Sequence, residues 1–204
     1  MKKYTYWFFL SILLIPSSIS KAQSSELTSV PFKYKIEVFS LYSPTSMRFL
    51  GKTPDSQTSQ FTIDLKKIFK QKSEDVFFTY KVHLTPYIGF DYSKRDDNGR
   101  KDYAHGFGLS PVGLGLVKVF NEKYQFVAET TGGFIYMNKV FPTDDAKRLN
   151  YTFDIKLAFD RKLYQSLGFS LGYKFHHISN AQTGEENPGL DSNFLFISLN
   201  YKIN

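Results

Sequence analysis

From Phe32 onward apolar and polar side chains alternate with a period of two, and helical spacing is hard to find. A period of two belongs to a strand with one face in an apolar medium and the other in a polar one. The clearest run covers residues 149–159: Leu149, Tyr151, Phe153, Ile155, Leu157 and Phe159 share one face, and Asn150, Thr152, Asp154 and Lys156 the other. The C-terminal run repeats it, with Leu195, Ile197, Leu199, Tyr201 and Ile203 alternating with Ser198, Asn200 and Lys202. Less regular segments at 32–41, 60–69, 76–91, 104–119, 124–139 and 167–179 bring the expectation to about eight strands. An even number lets an antiparallel meander close on itself, which removes the exposed edges of an open sheet. The fold class expected is therefore all-β, an eight-stranded antiparallel transmembrane β-barrel.

The spacing between strands supports the membrane version. Three connections are short, built on Lys72-Ser73-Glu74, Asn121-Glu122-Lys123 and Asp160-Arg161-Lys162, whereas those at 43–56, 92–103, 140–148 and 180–190 are long and polar. Short turns at one end and long loops at the other is the asymmetry of outer-membrane barrels, whose long loops face outward. Aromatic residues make up 18% of the chain, with 14 Tyr and 21 Phe, and such rings gather on lipid-facing strands and at membrane boundaries. The alternative is a soluble lipid-binding barrel of lipocalin type, with its apolar face turned inward around a ligand.

The first residues carry Lys2 and Lys3, then an apolar run at 6–15 and small residues at 17–22, the order of a secretory signal peptide. The expected organisation is a signal peptide at 1–22 and one outer-membrane β-barrel domain at 23–204. Cysteine is absent, so disulfides and thiol chemistry are excluded, and any catalysis falls to Ser, His and acids. Loss of Lys2, Lys3 and Lys21 with the leader reduces the formal charge from +7 to about +4. That excess suits an anionic membrane surface and gives no reason to expect a nucleic-acid partner.

One stretch concentrates chemistry: Tyr173-Lys174-Phe175-His176-His177-Ile178-Ser179-Asn180-Ala181, followed after a loop by Asn187-Pro188-Gly189-Leu190-Asp191. Residues two apart on a strand point the same way, so His177 and Ser179 are neighbours. A hairpin brings Asp191 beside them from the final strand. These are the parts of a nucleophilic site: Ser179 to attack, His177 to take its proton, and Asp191 to fix the imidazole. Asn180 and Asn187 are the nearest amides for oxyanion or substrate binding. By parity all three triad members lie on the apolar, lipid-facing side, where polar groups are costly unless paired and used. A lipid substrate accounts for them. The bland alternative is a pair of interfacial polar residues. His176 has lumen parity, and His83 and His105 lack ligand spacing, so no metal or organic cofactor is expected. Lys94, Arg95, Arg100, Lys101, Lys147 and Arg148 give the loops a basic character suited to phosphate or simply to water.

The block from Phe175 to Asp191, with its His-x-Ser-Asn-Ala core and Asn-Pro-Gly turn, resembles the lipid A 3-O-deacylase family, the PagL-type barrels grouped with acyloxyacyl hydrolase-like proteins. The resemblance implies a carboxylic ester hydrolase of the outer membrane that removes an ester-linked acyl chain from lipid A, the anchor of lipopolysaccharide. It implies His177 as base, Ser179 as nucleophile, Asp191 as acid and Asn180 as an oxyanion candidate, with Asn187 at an asparagine that matters in the family. Two positions depart from the pattern: the acid is commonly Glu, and Gln182 stands where a Gly that lends its backbone amide is familiar. The competing reading from another class is a non-catalytic small barrel, structural or adhesive, acting through its loops.

Overall fold

The structure is a computed structural model describing residues 31–94 and 98–203; the expected signal peptide lies outside the described residues. The described residues form nine strands: β1 (Tyr34–Ser43), β2 (Ser46–Met47), β3 (Gln57–Ser73), β4 (Val76–Ser93), β5 (Lys101–Val119), β6 (Tyr124–Phe141), β7 (Lys147–Tyr164), β8 (Leu167–Ser179) and β9 (Leu190–Ile203). Each long strand pairs antiparallel with its neighbours in sequence, and β1 also pairs β9, so the eight long strands close into a ring. The two-residue β2 is an addition at the rim. Closure matters physically because hydrocarbon offers no water to an unpaired backbone group, and a ring has no unpaired edge.

The alternation sorts side chains as expected of a barrel in lipid. On β9, Leu195, Ile197 and Leu199 face outward and are 82%, 68% and 60% exposed, while Phe194, Phe196, Ser198 and Asn200 are buried inside. On β7, Tyr151, Phe153, Ile155, Leu157 and Phe159 face out, and Asn150, Thr152, Asp154, Lys156 and Asp160 face in. Apolar outside and ionic inside is the reverse of a soluble ligand-binding barrel, so the lipocalin alternative falls. Exposed tyrosines ring the wall at both ends, with Tyr34, Tyr124, Tyr164 and Tyr201 near the short turns and Tyr42, Tyr103, Tyr136 and Tyr151 near the long loops. Such girdles sit at the two membrane interfaces.

Several strands outrun their expected bounds. The third short turn is Gln165-Ser166, not Asp160-Arg161-Lys162, because Asp160 is drawn into the lumen by an ion pair with Lys35 and the strand continues to Tyr164. The first turn is likewise Glu74-Asp75, with Ser73 opposite Val76. The 140–148 connection contracts to 142–146. The turn at Asn121 stands as expected, with the Asn121 side chain accepting from the amides of Lys123 and Tyr124.

The lumen is filled, not open. Two apolar layers, one around Phe39, Phe77 and Phe196 and one around Phe90, Met137 and Phe141, bracket a layer of ions. In that layer four carboxylates, Glu37, Asp64, Glu129 and Asp154, meet four ammonium groups, Lys66, Lys81, Lys156 and Lys174. Lys66 bonds Glu37 and Glu129 at 2.6 Å each, Lys156 reaches Glu37 at 2.7 Å, and Lys81 reaches Glu129 at 3.0 Å. His83 and His176 bond Asp64 and Asp154 at 2.5 Å. The matched charges let this layer stay dry, since a buried ion is tolerated only when paired and hydrogen-bonded.

Glu37 is the most exacting member: it accepts from Lys66, Lys156 and the Ser198 hydroxyl while fully buried. Glu37→Ala removes one of the two 2.6 Å acceptors of Lys66 and the nearest acceptor of Lys156, leaves the buried layer one negative charge short, and is expected to lower barrel stability by about 3–5 kcal/mol. Urea unfolding of the barrel refolded into lipid vesicles measures this, and Glu37→Gln, which keeps an acceptor, is expected to lose less.

Candidate active site

The outer ends of β7, β8 and β9 carry the residues singled out in sequence. His177 lies directly opposite Asp191 across the β8–β9 ladder, and Ser179 lies opposite Tyr151 across the β7–β8 ladder. His177 and Ser179 share the outward parity of Leu171 and Tyr173, and both are partly exposed. Asp191 shares the outward parity of Leu195 and Ile197, yet it is fully buried. His176 turns inward onto Asp154, as its parity requires.

A buried carboxylate on an outer wall needs compensation from something covering it. One oxygen is met by the imidazole: His177 Nδ1 and Asp191 Oδ1 are 2.6 Å apart. A carboxylate can only accept, so Nδ1–H donates and Nε2 is left as an acceptor facing away from Asp191. The other oxygen, Oδ2, accepts three consecutive backbone amides from the β1–β3 connection: Phe49 at 2.9 Å, Leu50 at 2.6 Å and Gly51 at 2.8 Å. The geometry thus brings base and acid together tightly. Among the described residues no hydrogen bond joins the Ser179 hydroxyl to His177 or Asp191.

The covering segment is held by β9 and by the turn before it. Ser46 and Met47 pair with Ser192 and Asp191, Lys52 N donates to Pro188 O at 2.6 Å, and Thr53 donates to Gly189 O through both its amide and its hydroxyl. Gly51 lies so close to β9 that a Cβ there would sit 2.7 Å from Leu190 N. Gly189 supplies the left-handed turn, at φ +59°, that feeds the chain into β9. Phe49 packs edge-on against Phe175 with ring centroids 5.9 Å apart, which explains why outward-facing Phe175 is buried. These amides were missed in the sequence because backbone donors leave no residue signature; the trace was an apolar pair and a glycine, Phe49-Leu50-Gly51, inside a polar loop.

The two asparagines hold the turn that follows Ser179. Asn180 is buried, its Nδ2 donates to Glu186 O at 2.6 Å, and its backbone amide donates to Asn187 Oδ1 at 2.9 Å. Its carbonyl accepts the Thr183 amide and hydroxyl. One Nδ2–H of Asn180 thus ties the 180–187 turn, while its buried Oδ1 has no hydrogen-bond partner among the described residues. Next to it, Ala181 and Gln182 are both left-handed, at φ 52° and 62°. Among the described residues their amides have no hydrogen-bond acceptor.

On the β7 side of Ser179 a cleft of about 530 Å³ is lined by Val140, Ala146, Leu149, Tyr151 and Thr183, with Lys147 and Arg148. Among the described residues Lys147 and Arg148 enter no ion pair, and no group of three or more His, Asp or Glu is arranged to hold a metal ion.

The model of the family described as Lipid A 3-O-deacylase (PagL) matches residues 61–200 of this chain. Among solved structures the chain is similar to the outer membrane enzyme PagL, at 14% identity and a TM-score of 0.53, covering 83% of this chain and 99% of that one. It is also similar to Neisserial surface protein A, at 9% identity and a TM-score of 0.50, covering 84% of this chain and 97% of the other. At these identities the likeness speaks for the eight-stranded fold. No curated protein matches.

Asn187→Leu removes the acceptor of the Asn180 amide. It is expected to loosen the 180–187 turn by about 1 kcal/mol, seen as faster amide exchange at Asn180 with exchange in the ladder strands unchanged.

Proposed function

Because the chain belongs to the lipid A 3-O-deacylase (PagL) family, we propose that it is an outer-membrane serine esterase that removes an ester-linked acyl chain from lipid A in the outer leaflet. The observation that carries this reading is a fully buried carboxylate, bonded to a histidine at 2.6 Å, on the lipid-facing wall next to an outward serine. Burying an acid under a purpose-shaped loop on a greasy surface has a cost that an adhesive scaffold gives no reason to meet.

In this reading Asp191 fixes the tautomer of His177, so that Nε2 takes the proton of Ser179 Oγ as that oxygen attacks the ester carbonyl. The tetrahedral intermediate collapses with cleavage of the ester C–O bond, and His177 returns the proton to the departing sugar oxygen. Water, deprotonated by the same imidazole, then hydrolyses the acyl-Ser179 ester and releases the fatty acid. Hydrogen bonds of a catalytic serine commonly tighten only once substrate is bound. For the oxyanion we assign the amides of Ala181 and Gln182 in place of the Asn180 side chain. Their left-handed backbone leaves both N–H groups without acceptors beside the nucleophile. Gln182 adopts the conformation a glycine would, which answers the departure seen in sequence.

The cleft beside Tyr151 suits an amphiphile with an anionic head. Its apolar lining accepts acyl chain, and Lys147 and Arg148 attract phosphate.

Ser179→Ala is expected to abolish fatty-acid release from purified lipid A while the barrel keeps its heat-modifiable migration; retained release would reject the nucleophile. Asp191→Asn is expected to lower kcat on the order of 10³–10⁴-fold, as loss of the orienting acid does in serine hydrolases. The double variant Lys147→Gln, Arg148→Gln is expected to raise KM roughly threefold to tenfold at low salt. Added salt should shrink that difference, so an effect that grows with salt would exclude charge as the cause.

A further inference from the structure

The covering loop raises a question that the triad does not answer: why a surface strand should bury its acid completely. We infer that residues Phe49, Leu50 and Gly51 are a positioning element of the site, a backbone clamp that fixes Asp191 so that His177 is held in its working orientation. The inference rests on the esterase reading above and adds to it a set of residues from the opposite end of the sequence.

Three features carry it. First, three successive amides converge on one carboxylate oxygen at 2.6–2.9 Å, while the imidazole takes the other oxygen. Charge-assisted bonds of this kind are the strong and directional ones, so the carboxylate has a single rotamer that satisfies all four donors. Second, the clamp is assembled at a gap in the barrel wall. β1 pairs with β9 only from Tyr34 to Val38, opposite Ile203 to Leu199, and follows β3 alone from there to Ser43. At the outer end of β9, β2 pairs with Asp191 and Ser192 in place of β1, and amides 49–51 bond the Asp191 carboxylate. Third, the fit is set for aspartate. Gly51 is in backbone contact with Leu190, so the loop cannot retreat or advance without losing the Lys52 and Thr53 bonds to the turn. A glutamate carboxylate, one methylene further out, would overrun the amides. The acid and the loop that holds it are therefore matched, and the Asp at this position is a consequence of the clamp.

The loop also carries Met47, Phe49 and Leu50, which are 48%, 73% and 51% exposed on the lipid-facing side. Their burial in surrounding acyl chains presses the segment onto the wall in the same direction as the hydrogen bonds.

The test compares substitutions at one position that differ only in the backbone donor. Leu50→Pro deletes the N–H that makes the shortest of the three bonds, and Leu50→Ala keeps it. Measured on purified lipid A in mixed micelles, Leu50→Pro is expected to lower kcat tenfold or more with KM within about twofold, and Leu50→Ala to stay within about threefold of the parent in both. Gly51→Ala, which displaces the segment from β9, is expected to behave as Leu50→Pro does. Lys52→Ala, an exposed side chain that leaves every amide in place, is the control and should match the parent.

If Leu50→Pro and Gly51→Ala fold with parental kcat while Ser179→Ala is inactive, the clamp is refuted and the esterase reading stands. If Ser179→Ala itself retains activity, the reading beneath it fails instead. Should neither loop variant show the heat-modifiable band, Asp191→Glu decides with the loop untouched. A loss of tenfold or more in kcat supports the match between acid and clamp, and parental activity overturns it.

Discussion

A backbone amide or carbonyl in hydrocarbon has no water to bond, and this obligation shapes the molecule from the ring of strands inward. Closure between β1 and β9 meets the obligation through the membrane's depth, where Tyr34 to Val38 lie opposite Ile203 to Leu199. Once the wall is continuous, the period-two alternation has only two destinations. One face goes to lipid and is apolar; the other goes to the lumen, where two apolar layers bracket Lys66, Lys81, Lys156 and Lys174 and an equal number of carboxylates. The interior is thus a consequence of the wall. A sheet that turns its greasy face outward must fill its centre with ions that neutralise one another.

The same obligation fails to be met at one place, and the site is there. β1 leaves β9 above Val38, so the outer end of β9 loses its ladder partner on that side. At its outermost residues, Asp191 and Ser192, β9 pairs instead with β2, and the group that receives amides 49–51 is a side-chain carboxylate. Backbone donors that would pair with a strand inside the membrane here pair with Asp191. A defect in the ladder has become the second half of an acid's hydrogen-bonding shell.

The fold was legible because alternation is a direct record of two environments. Leu149 to Phe159 reads as a strand with no ambiguity of face, and it is one. Boundaries were less legible where a polar residue had two possible uses. Asp160 has the composition of a turn, but Lys35, 125 residues away in sequence, pulls it into the lumen and prolongs β7. The facing of His177 and Asp191 follows from hairpin register and was readable from parity. The bond that Asn180 makes was not, because an amide has the same letter whether its Nδ2 turns to a ligand or, as here, to the carbonyl of Glu186. The amides at 49–51 were beyond any reading by residue type, since every residue but proline carries one.

Position at the rim also reconciles demands that conflict elsewhere on the wall. A triad in the lumen would be screened from lipid by the layer around Phe90, Met137 and Phe141. A triad at mid-depth on the outer face would place an imidazole and a carboxylate in hydrocarbon, where unpaired polar groups are most costly. At the outer ends of β8 and β9 a loop from the β1–β3 connection is at hand to cover the acid. Asp191 is buried by protein, His177 and Ser179 are partly exposed, and Ser179 lies opposite Tyr151, one of the residues lining the cleft. Across three adjacent strands the surroundings thus change from a shielded charge on β9 to two partly exposed side chains on β8 and a cleft of apolar and basic residues against β7. That gradient suits the proposed attack on a lipid from the side: charge kept from the tail, and the Ser179 hydroxyl left open to an ester.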